Sequence, residues 1–193
     1  MRISIKIKKF NIIITIIIAL IIIVISCSKE NNESGLVYGV NDAPIKIINY
    51  TSFQCSACKD LHNKLHEVLK KYIENGSVKF VEKPIDIKRF KYDEIIYEHM
   101  DDSEKLDFDK LLDIYNSQDK LNTIESEEEI IELLNLDEEI NLENRDNLKK
   151  IMNEKEKIAL KEVPTMFING EKISNDITVE EFENKIQKII EAN

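Results

Sequence analysis

Basic residues, cysteine and proline are scarce in this sequence, and each shortage limits what the protein can be. The 27 basic residues face 37 acidic ones, and the formal net charge of −10 argues against binding to the phosphate backbone of nucleic acids. Three cysteines leave one pair and one odd thiol. Only three prolines and no internal repeat occur, which excludes a repeat array and, beyond the N-terminus, a low-complexity chain.

Long hydrophobic runs are also scarce, and the one that occurs lies at the N-terminus. Residues 12–25 are apolar apart from Thr15, and four basic residues precede them: Arg2, Lys6, Lys8 and Lys9. The run is shorter than the roughly 20 residues of a membrane span and is typical of a signal-peptide core. We therefore predict that residues 1–26 are a signal peptide and that the rest of the chain forms one domain.

The end of this run, Val24-Ile25-Ser26-Cys27, resembles the lipobox of bacterial lipoproteins. The resemblance implies cleavage before Cys27 and attachment of lipid to its thiol, which would anchor the protein to a membrane. Residues 27–42 would then be a polar tether and residues 43–193 the folded domain. The alternatives are a signal peptide that is cleaved elsewhere, as in a plain secreted protein, and a short anchor that is retained.

Lipidation of Cys27 leaves Cys55 and Cys58 as the thiols of the folded domain. They stand where a hydrophobic strand gives way to an amphipathic helix. Unpaired N–H groups and the macrodipole at a helix N-terminus favour a thiolate, so the pair is a candidate for redox chemistry. An exported chain works in an oxidising compartment, where a dithiol and its disulfide can both persist. The spacing alone also fits a metal site or a structural disulfide.

The residues around the two cysteines predict a β-α-β unit with a parallel sheet. Residues 45–50 are β-branched and predict a strand, residues 55–73 carry a helical stripe of apolar side chains, and a second strand follows at residues 77–85. Cys58 belongs to the apolar stripe and Cys55 precedes it. We therefore expect Cys58 to be buried and Cys55 to be the exposed member of the pair.

The second half of the chain predicts a block of helices followed by a β-hairpin. Apolar residues at helical spacing predict helices at residues 92–100, 103–115, 127–134 and 142–160. Strands are predicted on either side of a two-residue turn at Asn169-Gly170, at residues 164–168 and 171–173. A capping box formed by Thr178 and Glu181 then predicts a terminal helix.

Two motifs in this order resemble those of the DsbA-like thiol–disulfide oxidoreductases of the thioredoxin superfamily. The active-site strand and helix of that family are similar to Tyr50-Thr51-Ser52-Phe53-Gln54-Cys55-Ser56-Ala57-Cys58-Lys59, and the family's cis-proline hairpin is similar to Val163-Pro164-Thr165-Met166-Phe167-Ile168-Asn169-Gly170. The resemblance spans residues 43–193. It implies an α/β thioredoxin fold with a helical insertion, at about residues 88–141, between the β-α-β unit and the hairpin.

The resemblance also implies roles for four residues. Cys55 matches the nucleophile and Cys58 the resolving cysteine, while Val163 and Pro164 match the loop, with its cis peptide bond, that receives substrate backbone. The implied activity is thiol–disulfide exchange on exported proteins, with disulfide formation favoured because the resemblance includes the helical insertion. The implied partners are client proteins with thiols or disulfides and a membrane redox partner that recycles the dithiol. No cofactor and no metal are implied.

The expected location is periplasmic or otherwise extracytoplasmic, on a bacterial membrane through the lipid on Cys27. A monomer is expected, since we identify no separate dimerisation domain. A reductase or isomerase, including one that serves cytochrome maturation, would use the same residues in the reverse direction. A rival from another class is a lipoprotein that binds a partner on a thioredoxin scaffold and carries an inert disulfide.

Two histidines after Cys58 make the metal-site alternative concrete. His62 and His66 follow Cys58 at i+4 and i+8, but His66 lies about 12 Å along the helix axis from Cys58, too far for one ion to be held by both cysteines and both histidines. His62 falls inside the apolar stripe one turn after Cys58 and is expected to be a packed core residue; the alternative is a position close to the sulfurs, where its cation would stabilise a thiolate. His99, which has no identifiable partner, is expected to be a surface residue. The acidic stretch at residues 125–146 is interpreted as a solvated helix face.

Overall fold

The computed structural model describes residues 33–85, 87, 89–101 and 107–192. The predicted signal peptide, the predicted lipidation site Cys27 and the first part of the predicted tether lie outside these residues. Of the helices in the described ranges, none combines the length and the apolar character that crossing a membrane requires.

A mixed five-stranded sheet with helices packed against it makes up the described chain. The strands are β1 (Leu36–Tyr38), β2 (Ile45–Thr51), β3 (Val78–Pro84), β4 (Thr165–Ile168) and β5 (Glu171–Lys172). The helices are α1 (Ser56–Glu74), α2 (Asp93–Glu98), α3 (Phe108–Asn116), α4 (Gln118–Leu121), α5 (Glu127–Leu134), α6 (Leu142–Lys157) and α7 (Val179–Ala192). The strand order is β1-β3-β2-β4-β5.

The sheet is parallel only where the sequence predicts a β-α-β unit. Strands β2 and β3 run parallel and are joined by α1, whereas the other neighbouring pairs are antiparallel. A block of helices separates this unit from the β4–β5 hairpin. The predicted α/β thioredoxin fold with a helical insertion is therefore confirmed, with a mixed rather than an all-parallel sheet.

Strand β1 corrects the predicted boundary of the folded domain at residue 43. This segment was expected to be part of a polar tether, but it pairs antiparallel with β3, and its first and last side chains are buried. Glu33, just before it, forms ion pairs with Lys46 and Lys79. The ordered domain therefore includes these residues, because β1 completes the hydrogen bonding and covers the apolar side chains of β3 at that edge of the sheet.

Helix α1 buries the apolar stripe that its sequence predicts. The stripe packs into the core with its members nearly inaccessible to solvent: Cys58, Leu61, Leu65, Val68, Leu69 and Tyr72. The helix ends at Asn75, and the following Gly76 has φ of +76°, a left-handed conformation that glycine adopts without strain. The helix therefore ends at a defined position, and the chain turns back to the sheet and continues as β3.

Polar contacts tie helix α6 to α2 of the helical insertion and to the residues that follow α2. Asn144 donates hydrogen bonds of 2.9 and 2.8 Å to the carbonyl oxygens of Tyr97 and Met100. Arg145 donates two hydrogen bonds, of 2.9 and 2.7 Å, to the carboxylate of Glu98. These contacts join segments more than forty residues apart in the sequence, so they hold α6 against the insertion.

The predicted helices of the insertion agree with the structure to different degrees. The helix predicted at residues 127–134 is confirmed as α5, and the one at 142–160 is confirmed as α6 apart from its last residues. Only the part of the 103–115 helix that forms α3 lies within the described residues. The short helix α4 was not predicted, because four residues are too few to show a helical period.

His99 is buried, contrary to the expectation of a surface residue. It is 3% exposed, with Nδ1 2.7 Å from the carbonyl oxygen of Asp137 and Nε2 3.2 Å from Oε1 of Glu127. Both partners come from distant parts of the insertion. A pairing of this kind leaves no local pattern in the sequence, which is why the histidine seemed to have no partner.

The hairpin and the capping box near the C-terminus are confirmed. Asn169 and Gly170 have φ of 47° and 85°, as a type I′ turn requires, and the turn joins β4 to β5. Glu181 accepts a 2.9 Å hydrogen bond from the backbone N–H of Thr178, whose hydroxyl accepts a 3.2 Å bond from the backbone N–H of Glu181. Helix α7 follows directly.

Candidate active site

The two cysteines lie at the N-terminus of α1, and neither forms a disulfide in the structure. Cys55 is the N-cap residue, with φ of −89° and ψ of 120°, and Cys58 lies within the first turn. Cys58 is fully buried, as predicted. Cys55 is more accessible than Cys58 but is only 6% exposed, so the prediction that it is an exposed residue is wrong.

The loop before β4 covers Cys55 and accounts for its burial. The Val163–Pro164 peptide bond is cis, as the resemblance implies, and the carbonyl oxygen of Val163 lies 3.9 Å from Sγ of Cys55. Asn175 donates a 2.8 Å hydrogen bond to the carbonyl oxygen of Pro164 and so holds the loop from its far side. The structure thus brings together Cys55, Cys58, Val163 and Pro164. Helical periodicity could not reveal this cover, because the loop lies more than a hundred residues further along the chain.

The two thiols have very different acidities. A hydrogen bond from Cys58, outweighing partial burial and helped by the backbone N–H groups of Cys58 and Ala57 and by the charge of Arg89, lowers the pKa of Cys55 to about 6. Burial raises the pKa of Cys58 far above its ordinary value, and the neighbouring Cys55 adds to this shift. Cys55 is therefore the member of the pair that is a thiolate near neutral pH.

A buried hydrogen-bond chain extends from Cys58 into the core. The hydroxyl of Thr51, which lowers the pKa of Cys58 against the larger effect of burial, is hydrogen-bonded to the hydroxyl of Tyr115. Tyr115 donates a 2.6 Å hydrogen bond to Oε1 of Glu82, whose Oε2 accepts a 2.9 Å bond from Asn49. The chain crosses from β2 through α3 to β3, so a carboxyl group is connected to the buried thiol through two hydroxyls.

Glu82 is the titratable group at the inner end of this chain. Its side chain is fully buried, and burial raises its pKa to about 7, although the hydrogen bonds from Tyr115 and Asn49 oppose the shift. Neither Glu82 nor Tyr115 was predicted from the sequence to belong to the site. The available signal was an acidic residue inside the strand at residues 77–85, where every side chain of β3 proves to be buried. A buried acid of this kind is a candidate functional residue.

The histidines after Cys58 are packing residues rather than ligands beside the thiols. His62 is 3% exposed and lies between the rings of Tyr115, Phe108 and His66, and burial lowers its pKa to about 3. The rings of His66 and His62 share a 3.2 Å hydrogen bond. Among the described residues, no three histidine, cysteine or acidic side chains are grouped so as to hold a metal ion.

The fold and this arrangement of cysteines define a thioredoxin-like protein. A thioredoxin family model, Thioredoxin_4, matches residues 31–188, so the chain belongs to the thioredoxin family. The matched range begins before β1, in agreement with the corrected domain boundary. A search of curated protein sequences found no significant match.

Solved structures share the fold at low sequence identity. A conserved protein of unknown function from Enterococcus faecalis is 21% identical, covers 83% of this chain and 94% of its own, and has a TM-score of 0.70. Wolbachia pipientis alpha-DsbA1 is 19% identical, with coverages of 84% and 92% and a TM-score of 0.63. BdbD from Bacillus subtilis is 18% identical, with coverages of 82% and 94% and a TM-score of 0.59. The chain therefore has the fold of the DsbA-like thiol–disulfide oxidoreductases.

Proposed function

We propose that this protein is a thiol–disulfide oxidoreductase that acts on exported proteins through Cys55 and Cys58, and that it forms disulfides in them. The observation that carries the proposal is the difference between the two thiols at one helix N-terminus. The pKa of Cys55 is lowered to about 6 and that of Cys58 is raised. A lowered pKa suits a nucleophile, which reacts as a thiolate. A raised pKa suits a resolving thiol, which must remain protonated until it reacts.

Oxidation of a client would begin from the Cys55–Cys58 disulfide. A client thiolate attacks Sγ of Cys55, the Cys55–Cys58 bond breaks, and Cys58 leaves with the electron pair. A second client thiolate then attacks the client sulfur of the mixed disulfide, and Cys55 leaves as a thiolate. The client loses two electrons and gains a disulfide, while the enzyme pair is reduced and must be reoxidised by a membrane redox partner.

The buried carboxyl provides a route for the proton that Cys58 requires. In the oxidative direction, protonated Glu82 donates a proton through the hydroxyls of Tyr115 and Thr51 to the Cys58 thiolate. The thiolate accepts the proton because its pKa is high. In the reductive direction the proton moves the other way along the same chain. Cys58 donates to Thr51, and Tyr115 donates to the Glu82 carboxylate, so that Cys58 has lost its proton before it attacks the mixed disulfide. A pKa of about 7 suits Glu82 to either task near neutral pH.

Disulfide formation is the proposed direction because a stabilised Cys55 thiolate stabilises the reduced enzyme. Each unit by which the thiolate pKa falls in the reduced protein corresponds to about 1.4 kcal/mol in favour of that form. Val163 and Pro164 are the proposed contact for client backbone, since their loop lies directly against Cys55. The alternative is a reductase or isomerase, including one for cytochrome maturation, which would use the same residues in reverse.

The proposed location is extracytoplasmic, with the protein anchored to a bacterial membrane by lipid on Cys27. Support comes from the apolar run and the lipobox-like sequence at residues 24–27. A thioredoxin-like protein from Salmonella enterica with the same fold, 12% identical with a TM-score of 0.60, is described as periplasmic. If Cys27 carries the anchor, Cys27→Ser should move the protein from the membrane fraction to the soluble fraction; an unchanged distribution would contradict lipidation.

Two assays on the full-length protein, with Cys55→Ser as the inactive variant, test the function. Oxidative refolding of a reduced client with little reduction of insulin would support the proposed oxidase. Strong insulin reduction would instead favour the reductase or isomerase, and activity in neither assay would favour a binding lipoprotein. The equilibrium of the Cys55–Cys58 pair with glutathione gives its reduction potential and decides the direction of exchange. A reduction potential of about −120 mV marks an oxidant, and one of about −270 mV marks a reductant.

A further inference from the structure

Residues 52–54, which we call the approach loop, connect β2 to Cys55 and are held by side chains of the helical insertion. Asp93, the first residue of α2, accepts a 2.6 Å hydrogen bond from the hydroxyl of Ser52 and a 2.5 Å bond from the backbone N–H of Phe53. Gln118, the first residue of α4, donates a 2.9 Å bond from Nε2 to the carbonyl oxygen of Phe53. Both backbone polar groups of Phe53 are thus bound by the insertion.

These contacts are shielded from water. Asp93 is 1% exposed, Gln118 is 3% exposed, and Ser52 and Phe53 are fully buried. A buried hydrogen bond of this kind has no water to replace it, so removing one partner leaves the other group unpaired. The loop is therefore held in one conformation for as long as both side chains are present.

The approach loop determines where Cys55 lies relative to α1. The backbone N–H of Cys55 donates a 3.1 Å hydrogen bond to the carbonyl oxygen of Ser52, which closes a tight turn. Cys55 is the N-cap residue of α1 in an extended conformation, its carbonyl oxygen accepts a 3.0 Å hydrogen bond from the backbone N–H of Cys58, and the N–H groups of Cys58 and Ala57 contribute to its lowered pKa. A shift of the loop would move Sγ away from these donors.

We propose that Asp93 and Gln118 are positioning residues, which hold the approach loop so that Cys55 stays at the helix N-terminus where its thiolate is stabilised. This inference deepens the proposed function and rests on it. It also assigns the helical insertion a part in the reactivity of a cysteine that lies outside it. Without the two side chains, the Cys55 thiolate would be less stable. The reduced enzyme would then be less stable relative to its disulfide form.

The test uses the reduced full-length protein in a Cys27→Ser background, so that Cys55 and Cys58 are the only thiols. The absorbance of the thiolate at 240 nm is titrated against pH, and the equilibrium with glutathione is measured in parallel. Gln118→Met keeps the length of the side chain but removes its donor. We expect the pKa of Cys55 to rise by about half a unit or more, and the equilibrium to shift roughly threefold toward the disulfide form of the enzyme.

Asp93 is tested with two variants. Asp93→Ala removes both hydrogen bonds and should raise the pKa of Cys55 at least as much as Gln118→Met. Asp93→Asn keeps a side-chain oxygen for the backbone N–H of Phe53, and its amide can donate to the hydroxyl of Ser52, so it should restore most of the wild-type pKa. If Asp93→Ala does not fold, the pKa of Cys55 in Gln118→Met decides whether the approach loop positions the thiol.

The matched control is Glu98→Gln, which removes a buried carboxylate from the same helix as Asp93. The carboxylate of Glu98 pairs with Arg145 on α6, whereas that of Asp93 binds the approach loop. The Glu98→Gln variant should have a lower melting temperature than the wild-type protein but the same pKa at Cys55. A Gln118→Met variant that loses stability and keeps the wild-type pKa would overturn the inference.

The titration needs no client, so the inference and the proposed function can fail separately. If the wild-type protein exchanges no disulfides while the pKa of Cys55 shifts as expected in Gln118→Met, the proposed function is wrong and the positioning role is correct. If the wild-type protein is active and the pKa stays constant in Asp93→Ala and Gln118→Met, the positioning role is wrong.

Discussion

The hydroxyl of Tyr115 lies 2.6 Å from Oε1 of Glu82, and this hydrogen bond joins the helical insertion to the central strand β3. Both side chains are fully inaccessible to solvent. Because the same hydroxyl also contacts Thr51, a residue of the insertion completes the path between a carboxyl group and the buried Cys58. The insertion thus contributes one hydroxyl to the buried hydrogen bonds beneath the dithiol.

Replacing Tyr115 by phenylalanine should slow proton transfer to and from Cys58. The change removes one hydroxyl from the chain and keeps the ring that packs against Phe53. We expect release of a reduced client from its mixed disulfide with Cys55 to slow roughly tenfold or more, since positioned proton transfer contributes at least that much to such steps. Rapid acid quenching and mass spectrometry of the trapped mixed disulfide measure the rate.

The control for this variant is Tyr38→Phe. Tyr38 is also a buried tyrosine, and its hydroxyl makes no hydrogen bond with any residue that the structure describes. Its removal should leave the rate of release unchanged. Equal slowing in both variants would contradict a proton path through Tyr115.

Glu82 should make the stability of the folded protein fall as the pH rises. Its pKa is about 7 in the folded state against an ordinary value of 4.5, so between these values the folded protein holds a proton that the unfolded chain has released. The free energy of unfolding should therefore decrease over this range, by up to about 3 kcal/mol. Glu82→Gln should remove this part of the decrease.

Urea unfolding of the oxidised protein at several pH values between 4 and about 8 measures this effect. The oxidised form is used because Cys55 then has no thiol to titrate. The difference in stability between wild type and Glu82→Gln should change steadily across the range, in favour of the variant at the higher pH values. A difference that is constant with pH would show that Glu82 titrates normally.

The reactivity of Cys55 should follow a pKa of about 6. Alkylation of the reduced protein by iodoacetamide should therefore have its midpoint below neutral pH, approach its plateau above it, and label Cys55 rather than Cys58. Cys58→Ala removes the hydrogen bond that contributes most to the lowered pKa, so the midpoint should move to higher pH. Ser56→Ala, a change at an exposed position beside the thiol, should leave it in place; a midpoint that stays at its wild-type pH in Cys58→Ala would contradict the assigned cause.

Strand β1 should contribute to stability as a core element. Leu36 is fully buried against β3, so Leu36→Ala should lower the free energy of unfolding by about 3 kcal/mol. Val40 follows the strand and is 48% exposed, so Val40→Ala should change the stability by less than about 0.5 kcal/mol. Similar small effects of both substitutions would restore the tether interpretation of this segment.

Local patterns were sufficient wherever a single element buries one face. The stripe of α1, the exact bounds of α5 and the turn at Asn169-Gly170 could be predicted because neighbouring residues in the sequence carry the whole signal. Strand β1 was missed because its three residues are too short to show alternation. Its place is decided by pairing with β3, more than forty residues away.

The class of fold, the position of the two cysteines at the start of a helix, and which of them is the more deeply buried could all be predicted from the sequence, because helix phase and turn chemistry are local properties. The pKa values of the two thiols, in contrast, depend on contacts that form only in the folded protein. The cis-proline loop that covers Cys55, the carboxyl of Glu82 behind Cys58 and the hold of Asp93 on the approach loop all come from distant segments. Burial and hydrogen bonding set a pKa, and both depend on which segments the fold brings together.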